Sequence, residues 1–436
     1  MIPKYGRRSA FAFAILASLL PSAAHAQFDL TPPYLAPVSS SPWTISTLAS
    51  GFPSDGYEPE VDYGWDRIYG FAFASSPSFN KGLPYFMVAE VNNGSEANSY
   101  PNRNGLVVFN SDKDGQVAGQ PLQPLLTPTG LASVGGVIYA EFPTPGSIIP
   151  VYPNGTMGEA IGDGLSTLNA ICVNPLNGHL LATEWTNQAI FDINVKTKTV
   201  TTLLQMKDAH GVAGAAGIAT DGTSVFVVVL TQTDGQHVEQ YAIPSTPGAS
   251  VSAINDYGFI YGARGIAIGL GGTGGYIYAS GRHGQFYQID RFTKQISLLS
   301  NFYSNGQNAE FMGVDPINGS LLVSGGGIGR LTPPIQESLQ YAFPKLAATS
   351  VASGKSISGT VYLAVPAPVD FKVTLTASAH VTVSPSTLTI KAGTTSGSFT
   401  VTGGAVTANS SATVATSIVL PKGTISQSTV LTVTPH

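Results

Sequence analysis

The sequence predicts an all-β chain, a β-propeller built from six repeated segments followed by an immunoglobulin-like β-sandwich. Three observations predict it. A short apolar strand headed by Gly or Ala recurs at Gly70, Gly130, Ala170, Gly217, Gly265 and Gly313, at spacings of 60, 40, 47, 48 and 48 residues. Strand-only repeats of that period belong to propeller blades of four strands. The 49 glycines and 30 prolines among 436 residues suit many short strands joined by turns, and no helical periodicity runs through the chain. After Pro344 the composition shifts to Thr, Val and Ser in short alternating segments bounded by Gly and Pro, the pattern of a sandwich.

Residues 1–26 stand outside the fold. Lys4, Arg7 and Arg8 precede the apolar run Phe11–Leu20, which is too short to span a bilayer. Ala24-His25-Ala26 fits the small-x-small cleavage rule, so an exported chain (periplasmic, cell-surface or secreted) beginning at Gln27 is expected, with no transmembrane segment after cleavage. Arg7-Arg8 suits a basic leader of the general secretion route and also the twin-arginine route. Residues 27–42 read as a Pro-rich lead-in without periodicity.

The propeller is expected over residues 43–342. Trp43-Thr-Ile-Ser-Thr-Leu48 alternates cleanly and matches the outer strands Thr199–Leu204 and Gln295–Leu299, yet it stands before the first repeat. It is therefore expected to supply the outer strand of the last sheet and to close the ring, leaving no open edge. Second strands are expected at Tyr85–Ala89, Val137–Ala140, His179–Ala182, Val225–Val229, Tyr276–Ala279 and Ser320–Val323, and an insertion around Asn92–Asn104 absorbs the long first spacing. The sandwich is expected over residues 343–436, with strands at Ser356–Leu363, Val369–Thr376, Thr387–Ile390, Gly397–Thr402, Ala412–Ile418 and Ser428–Val433. It has neither a cysteine pair nor a tryptophan, so the antibody-type hallmarks are missing.

Two stretches, Ala170-Ile-Cys-Val-Asn-Pro-Leu-Asn-Gly-His-Leu-Leu-Ala182 and Gly313-Val-Asp-Pro-Ile-Asn-Gly-Ser-Leu-Leu-Val323, resemble the NHL-type repeat, as does Phe86–Asn93 followed by Gly105–Phe109. The resemblance covers roughly Trp43 to Leu331 and implies a propeller without specifying function. NHL-like propellers are similar in turn to the gluconolactonase-type lactonases, which hold a divalent cation on the axis through Glu, Asn and Asp placed before inner strands. The segment Thr387–Val401 resembles the immunoglobulin-like modules appended to bacterial exported proteins, which space, stabilise or attach.

In a propeller, the residue just before each inner strand tends to face the central channel. Here that ring is Tyr69, Thr129, Asn169, Ala216, Arg264 and Met312. Tyr69 stands where the lactonase pattern has Glu, and Arg264 and Met312 stand where it could have Asp. A hard cation needs several oxygens, preferably charged, so no axial metal is predicted. No other cofactor is predicted either. Asp55–Asp66 gathers five carboxylates in twelve residues, but their spacing is not that of an EF-hand; it reads as a solvated acidic loop rather than a Ca²⁺ site. No G-x-S-x-G elbow is present. Cys172, the only cysteine, lies in the apolar strand Ala170-Ile-Cys-Val173 and reads as a buried thiol. Asn93-Gly-Ser, Asn154-Gly-Thr, Asn318-Gly-Ser and Asn409-Ser-Ser match the glycosylation sequon, and those with Asn-Gly read equally as hairpin turns.

From Gln27 to Pro344 there are 12 Lys and Arg against 24 Asp and Glu. An acidic domain without a basic stripe argues against nucleic acid. Within it, Arg264, Arg282 and His283 invert the charge locally. Together with Asn169 and Tyr69 across the ring they form the candidate ligand site, suited to a carboxylate, sulfate or sugar acid. His210 and the aromatic residues Tyr57, Tyr63 and Trp65 stand near the same face. Glu90, Glu141 and Glu184 close the second strands of the first three repeats, and each is expected to cap the following turn by accepting backbone N–H bonds. The expected function is a binding platform for a protein, a carbohydrate or a small anionic ligand, with the sandwich as spacer. The alternative is a lactonase-like hydrolase or lyase acting on a small or sugar-derived substrate.

Overall fold

In this computed structural model the described residues are 35–37, 42–50, 66–92, 105–110, 113–117, 122, 128–142, 146–162, 164–165, 167–185, 188–207, 211–231, 235–270, 275–281, 285–302, 311–324 and 327–436. Among the described residues of 35–332 the strands form six sheets, each opening on one repeat. The first is Asp66–Ser76, Phe79–Asn92 and Gly105–Phe109; the second is Gly130–Val134, Val137–Phe142 and Ser147–Val151. The third runs Leu168–Val173, Leu180–Glu184, Ala189–Asn194 and Thr199–Lys207, with Ala249–Ser252 added in parallel. The fourth is Val212–Thr220, Ser224–Thr231, Gln236–Ala242 and Asn255–Phe259. The fifth is Ile266–Gly269, Tyr276–Ser280, Gln285–Asp290 and Ile296–Phe302. The sixth begins Met312–Val314, Leu321–Ser324 and Ile328–Thr332. The fold is all-β and of the propeller type.

The first strands of these sheets approach one another around a common axis, and the repeat's leading small residue is what permits it. A Cβ on Gly70 would lie 2.7 Å from the Leu131 nitrogen of the second sheet, and one on Gly130 would lie 2.9 Å from Ile171 of the third. A Cβ on Gly217 would lie 2.3 Å from the Arg264 carbonyl oxygen, one on Gly265 2.7 Å from the Met312 nitrogen, and one on Gly313 2.7 Å from the Phe71 ring. The last contact joins the sixth sheet to the first, so the circuit is complete. Between the third and fourth sheets, Ala170 takes the glycine's place and the contact is polar: Thr183 Oγ1 donates to the Ala216 carbonyl at 2.9 Å. Apolar side chains from neighbouring sheets fill a separate core at each junction; Ala72, Met87, Leu131 and Ile138 share one, and Ile171, Leu180, Ile148 and Ile193 the next.

Closure follows the expectation from the alternating Trp43 segment. Thr44–Ser50 pairs antiparallel with Ile328–Thr332, Ile45 opposite Leu331 and Thr47 opposite Gly329, and so becomes the fourth strand of the sixth sheet. Trp43 packs edge-on against Tyr278 of the fifth sheet at 5.2 Å and is 4 % exposed. Gln116–Val117 then covers the outer edge of the closing strand, with Gly115 N–H donating to the Thr47 carbonyl at 2.8 Å. Arg330 pins this cover: its Nε donates to Asp114 at 2.8 Å and its guanidinium also pairs with the fully buried Asp315.

The lead-in departs from the expectation. Leu35–Pro37 is a strand, antiparallel to Ile296–Phe302 on the outer edge of the fifth sheet. An edge strand has one neighbour, so it needs no alternation, and proline's missing N–H is tolerated there. The first strands of the first and fourth sheets are also longer than the repeat pattern implies, each bent by a register shift.

Residues 342–434 form a two-sheet sandwich. One sheet orders Ala342–Leu346, Ser356–Leu363, Ser396–Gly403 and Val381–Ser384. The other orders Ser350–Ala352, Gly423–Thr434, Ser410–Leu420, Phe371–Ala377 and Thr387–Ile390. Alternating residues such as Val361, Leu363, Val373, Phe399, Val401 and Val414 fill the space between them. The sandwich is docked on the propeller. Gly135 N–H donates to the Gly393 carbonyl at 2.8 Å, and Lys422 Nζ donates to Thr44 Oγ1 at 3.0 Å. Gly393 has φ 74°, and a Cβ there would lie 1.9 Å from the Gly136 nitrogen, so backbone meets backbone and only glycine fits. No helix among the described residues is long and apolar enough to cross a membrane.

Arg330→Ala leaves Asp315 buried without its cation. The variant should lose about 3–5 kcal/mol of stability in chemical denaturation, and parent-like unfolding would show that the pair does not hold the closing strand.

Candidate functional site

The residues that precede the inner strands meet at one end of the channel. Tyr69, Thr129, Asn169, Ala216, Arg264 and Met312 all line a cavity of about 220 Å³. Each sits where it does because the following small residue lets its strand reach the axis. Among the described lining residues, Arg264 carries the only formal charge. Its backbone is fixed from both sides: the N–H donates to Ser280 Oγ at 3.2 Å, and the carbonyl accepts from Gly217 N–H at 2.8 Å. Asn169 is half-buried and its amide donates to the Ala215 carbonyl at 2.8 Å. Tyr69 is half-buried across the ring.

Trp185 is a site residue that the sequence pattern does not mark. The Arg264 guanidinium carbon lies 5.6 Å from its ring centroid, within cation–π range. The indole lies flat on Gly214, where a Cβ would come within 2.9 Å of the ring. The only signal in sequence is a tryptophan directly after the second strand of the third repeat.

Below the mouth the lining changes chemistry. Two residues further along each strand stand Phe71, Leu131, Ile171, Ile218, Ile266 and Val314, apolar in every sheet. They line a second cavity of about 140 Å³. Its far end is closed by Leu339 and Tyr341 and by the sandwich loop Ala364, Val365 and Pro366. Gln340 holds that loop, its Nε2 donating to the Val365 carbonyl at 3.1 Å and its Oε1 accepting from Val365 N–H at 3.3 Å. Ile218, Ile266, Phe311 and Met312 line both cavities and form the partition between them. Cys172 occupies the small-residue position held by Ala72, Ala132, Ala219 and Ala267 in other repeats. Its apolar surroundings push the thiol pKa up, so it is not a poised nucleophile.

Arg282, His283 and His210 lie outside the described residues, as do Tyr57, Tyr63, Trp65 and the acidic loop up to Trp65. Of the five expected ligand residues the structure thus brings Tyr69, Asn169 and Arg264 to one cavity. Among the described residues no three His, Cys, Asp or Glu side chains gather as metal ligands. The one carboxamide of the ring shares the cavity with a guanidinium, a donor set that does not fit an axial divalent cation.

The turn-capping role expected of the repeated glutamates is overturned at Glu141. It is fully buried between the second and third sheets, and neither carboxyl oxygen has a hydrogen-bond partner. Oε2 lies 2.6 Å from where a Cβ on Gly130 would stand. The side chain points along the sheet-to-sheet junction instead of back to the turn, because position 141 faces the Ile171 side of its strand. Glu184, its counterpart one sheet on, is also buried and accepts from Thr167 Oγ1 at 3.1 Å. The Glu90 side chain lies outside the described residues.

No protein-family model matches the sequence, and no curated protein matches it. Solved structures are similar to it at low identity and low TM-score. An auxiliary nutrient binding protein from Bacteroides thetaiotaomicron is 10% identical with a TM-score of 0.44, over 66% of this chain and 76% of its own. A catalytically inactive virginiamycin B lyase from Staphylococcus aureus, with quinupristin, is 13% identical with a TM-score of 0.39, over 67% of this chain and 100% of its own. Hydrazine synthase of Kuenenia stuttgartiensis is 14% identical with a TM-score of 0.38, over 62% of this chain and 77% of its own.

Burial holds the Glu141 carboxyl well above the usual carboxylate range, so it stays protonated in the folded protein where the unfolded chain ionises. Stability therefore falls as pH rises from the ordinary carboxyl value through the folded one. Glu141→Gln, which cannot ionise, should melt above the parent near about pH 8 and close to it near about pH 4. A difference in melting temperature that does not change with pH would contradict this.

Proposed function

We propose that this is an exported six-bladed propeller that binds a small anionic ligand at the channel mouth, with an immunoglobulin-like sandwich serving as spacer and as floor of the channel. The observation that carries this reading is the convergence of the ring on one cavity whose only described charge is Arg264. The leader-like residues 1–26 support export, and the NHL-like repeats support six blades.

The mouth chemistry supports anion recognition. A guanidinium presents a planar fork that matches a carboxylate or sulfate. Here it is held by a fixed backbone and lies over Trp185. Thr129, Asn169 and Tyr69 add neutral polar groups around it. The cavity of about 220 Å³ falls below the ~300–1,000 Å³ usual for drug-sized ligands, which favours a small molecule. Arg282 and His283, three and four residues past the second strand's Ala279, would extend the cationic side of the same mouth.

Isothermal titration with acetate, sulfate and gluconate tests the reading. The parent should bind at least one of them, more tightly at low salt. Arg264→Ala should weaken it by about ten-fold or more while melting like the parent. Equal binding by both proteins would overturn the assignment of Arg264. EDTA-sensitive turnover of lactones or esters by the parent would replace the binding reading with the hydrolase one.

A further inference from the structure

The mouth and the inner cavity lie on one axis and share Ile218, Ile266, Phe311 and Met312 as their common wall. The upper chamber has a cation and neutral polar groups. The lower one is lined at its first level wholly by apolar side chains and is closed at its far end by the sandwich. We propose that the two chambers form one site for an amphipathic carboxylate, its acid head on Arg264 and its hydrocarbon tail in the inner chamber. This rests on the reading of the mouth as an anion site and names the ligand class that site takes.

The partition suits a tail. Met312 is unbranched and has three rotatable bonds, so it can swing where a branched side chain could not. It lies against Gly265, where a Cβ would stand only 2.9 Å from the Met312 Cγ. From Arg264 to the Ile268 level is four residues, about 13 Å at an extended rise, the length of a medium-chain acid. A cavity walled mainly by Ile, Leu, Phe and Val, with Ser133 and Thr220 among its few polar lining residues, admits hydrocarbon readily. A sugar acid would leave its hydroxyls unpaired against the same wall, which is costly. Tyr341 and Val365 line the far end of this chamber, and Gln340 holds the Val365 loop there, so a longer chain meets this floor.

The chain length of the ligand is the test. The full mature protein is titrated with acetate, butyrate, hexanoate, octanoate and dodecanoate, and with gluconate as the polar comparison. Affinity should rise about four-fold per methylene up to octanoate and then stop rising, with gluconate weaker than hexanoate. Val173→Phe on the third sheet and Val365→Phe on the sandwich loop each fill the inner chamber from a different element. Either variant that melts like the parent should bind acetate as the parent does and lose the rise with chain length. A parent affinity that is flat across the series, or higher for gluconate than for hexanoate, overturns the tail chamber while leaving the anion site standing. Failure of every acid to bind overturns the anion site and the tail chamber together.

Discussion

The fold depends on how closely its inner strands approach. Around the axis, one sheet's leading glycine stands where any side chain would strike the next sheet's backbone, at Cβ clearances of 2.3 Å for Gly217 and 2.7 Å for Gly70 and Gly265. Such contacts exist only if the strands are held at that spacing all the way round. A ring of sheets can keep the spacing only when it is closed, since an open end would splay. Closure is supplied by Thr44–Ser50, which lies beside Ile328–Thr332 although about 280 residues separate them in sequence. Trp43 on Tyr278 anchors one side of that strand, and Gln116–Val117 with the Asp114–Arg330 pair covers the other.

Site chemistry follows from that spacing. Because the strands are in register about the axis, residues at equivalent positions form levels. The level before the small residues carries Arg264, Asn169, Thr129 and Tyr69; the level after them is apolar in every sheet. The mouth is therefore charged, and the interior is mostly apolar. The sandwich completes the arrangement from the far side, where Gly393 meets the Gly135–Gly136 turn and the Val365 loop meets the axis. A spacer free to swing would leave the apolar level open to solvent, and burying that surface is a driving force for docking.

The ring was legible in the sequence because its cause is local. A Gly or Ala followed by an apolar strand marks the axis, so the residue before it could be assigned to the mouth, and Tyr69, Asn169 and Arg264 were found together there. The closing strand was legible because it matched Thr199–Leu204 in pattern but stood out of order. What depends on contacts far apart in the chain was not legible. Trp185 reaches Arg264 only because Gly214 leaves a flat place for its indole. Glu141 reads like Glu184 in sequence, yet Glu184 is bonded by Thr167, just before the first strand of its own sheet, and Glu141 has no such partner. The docking of the sandwich rests on Gly393, one glycine among many in turns. Leu35–Pro37 pairs at an edge, where no alternation is needed to mark it.

Closure of the ring is the claim on which the rest stands, and hydrogen exchange measures it directly. Amide exchange over Ile45–Ala49 should be as slow as over Leu321–Ser324 in the same sheet, because opening the closing strand would open the whole ring. Fast exchange over Ile45–Ala49 while Leu321–Ser324 stays protected would show that the segment is a frayed edge and that the ring holds together without it.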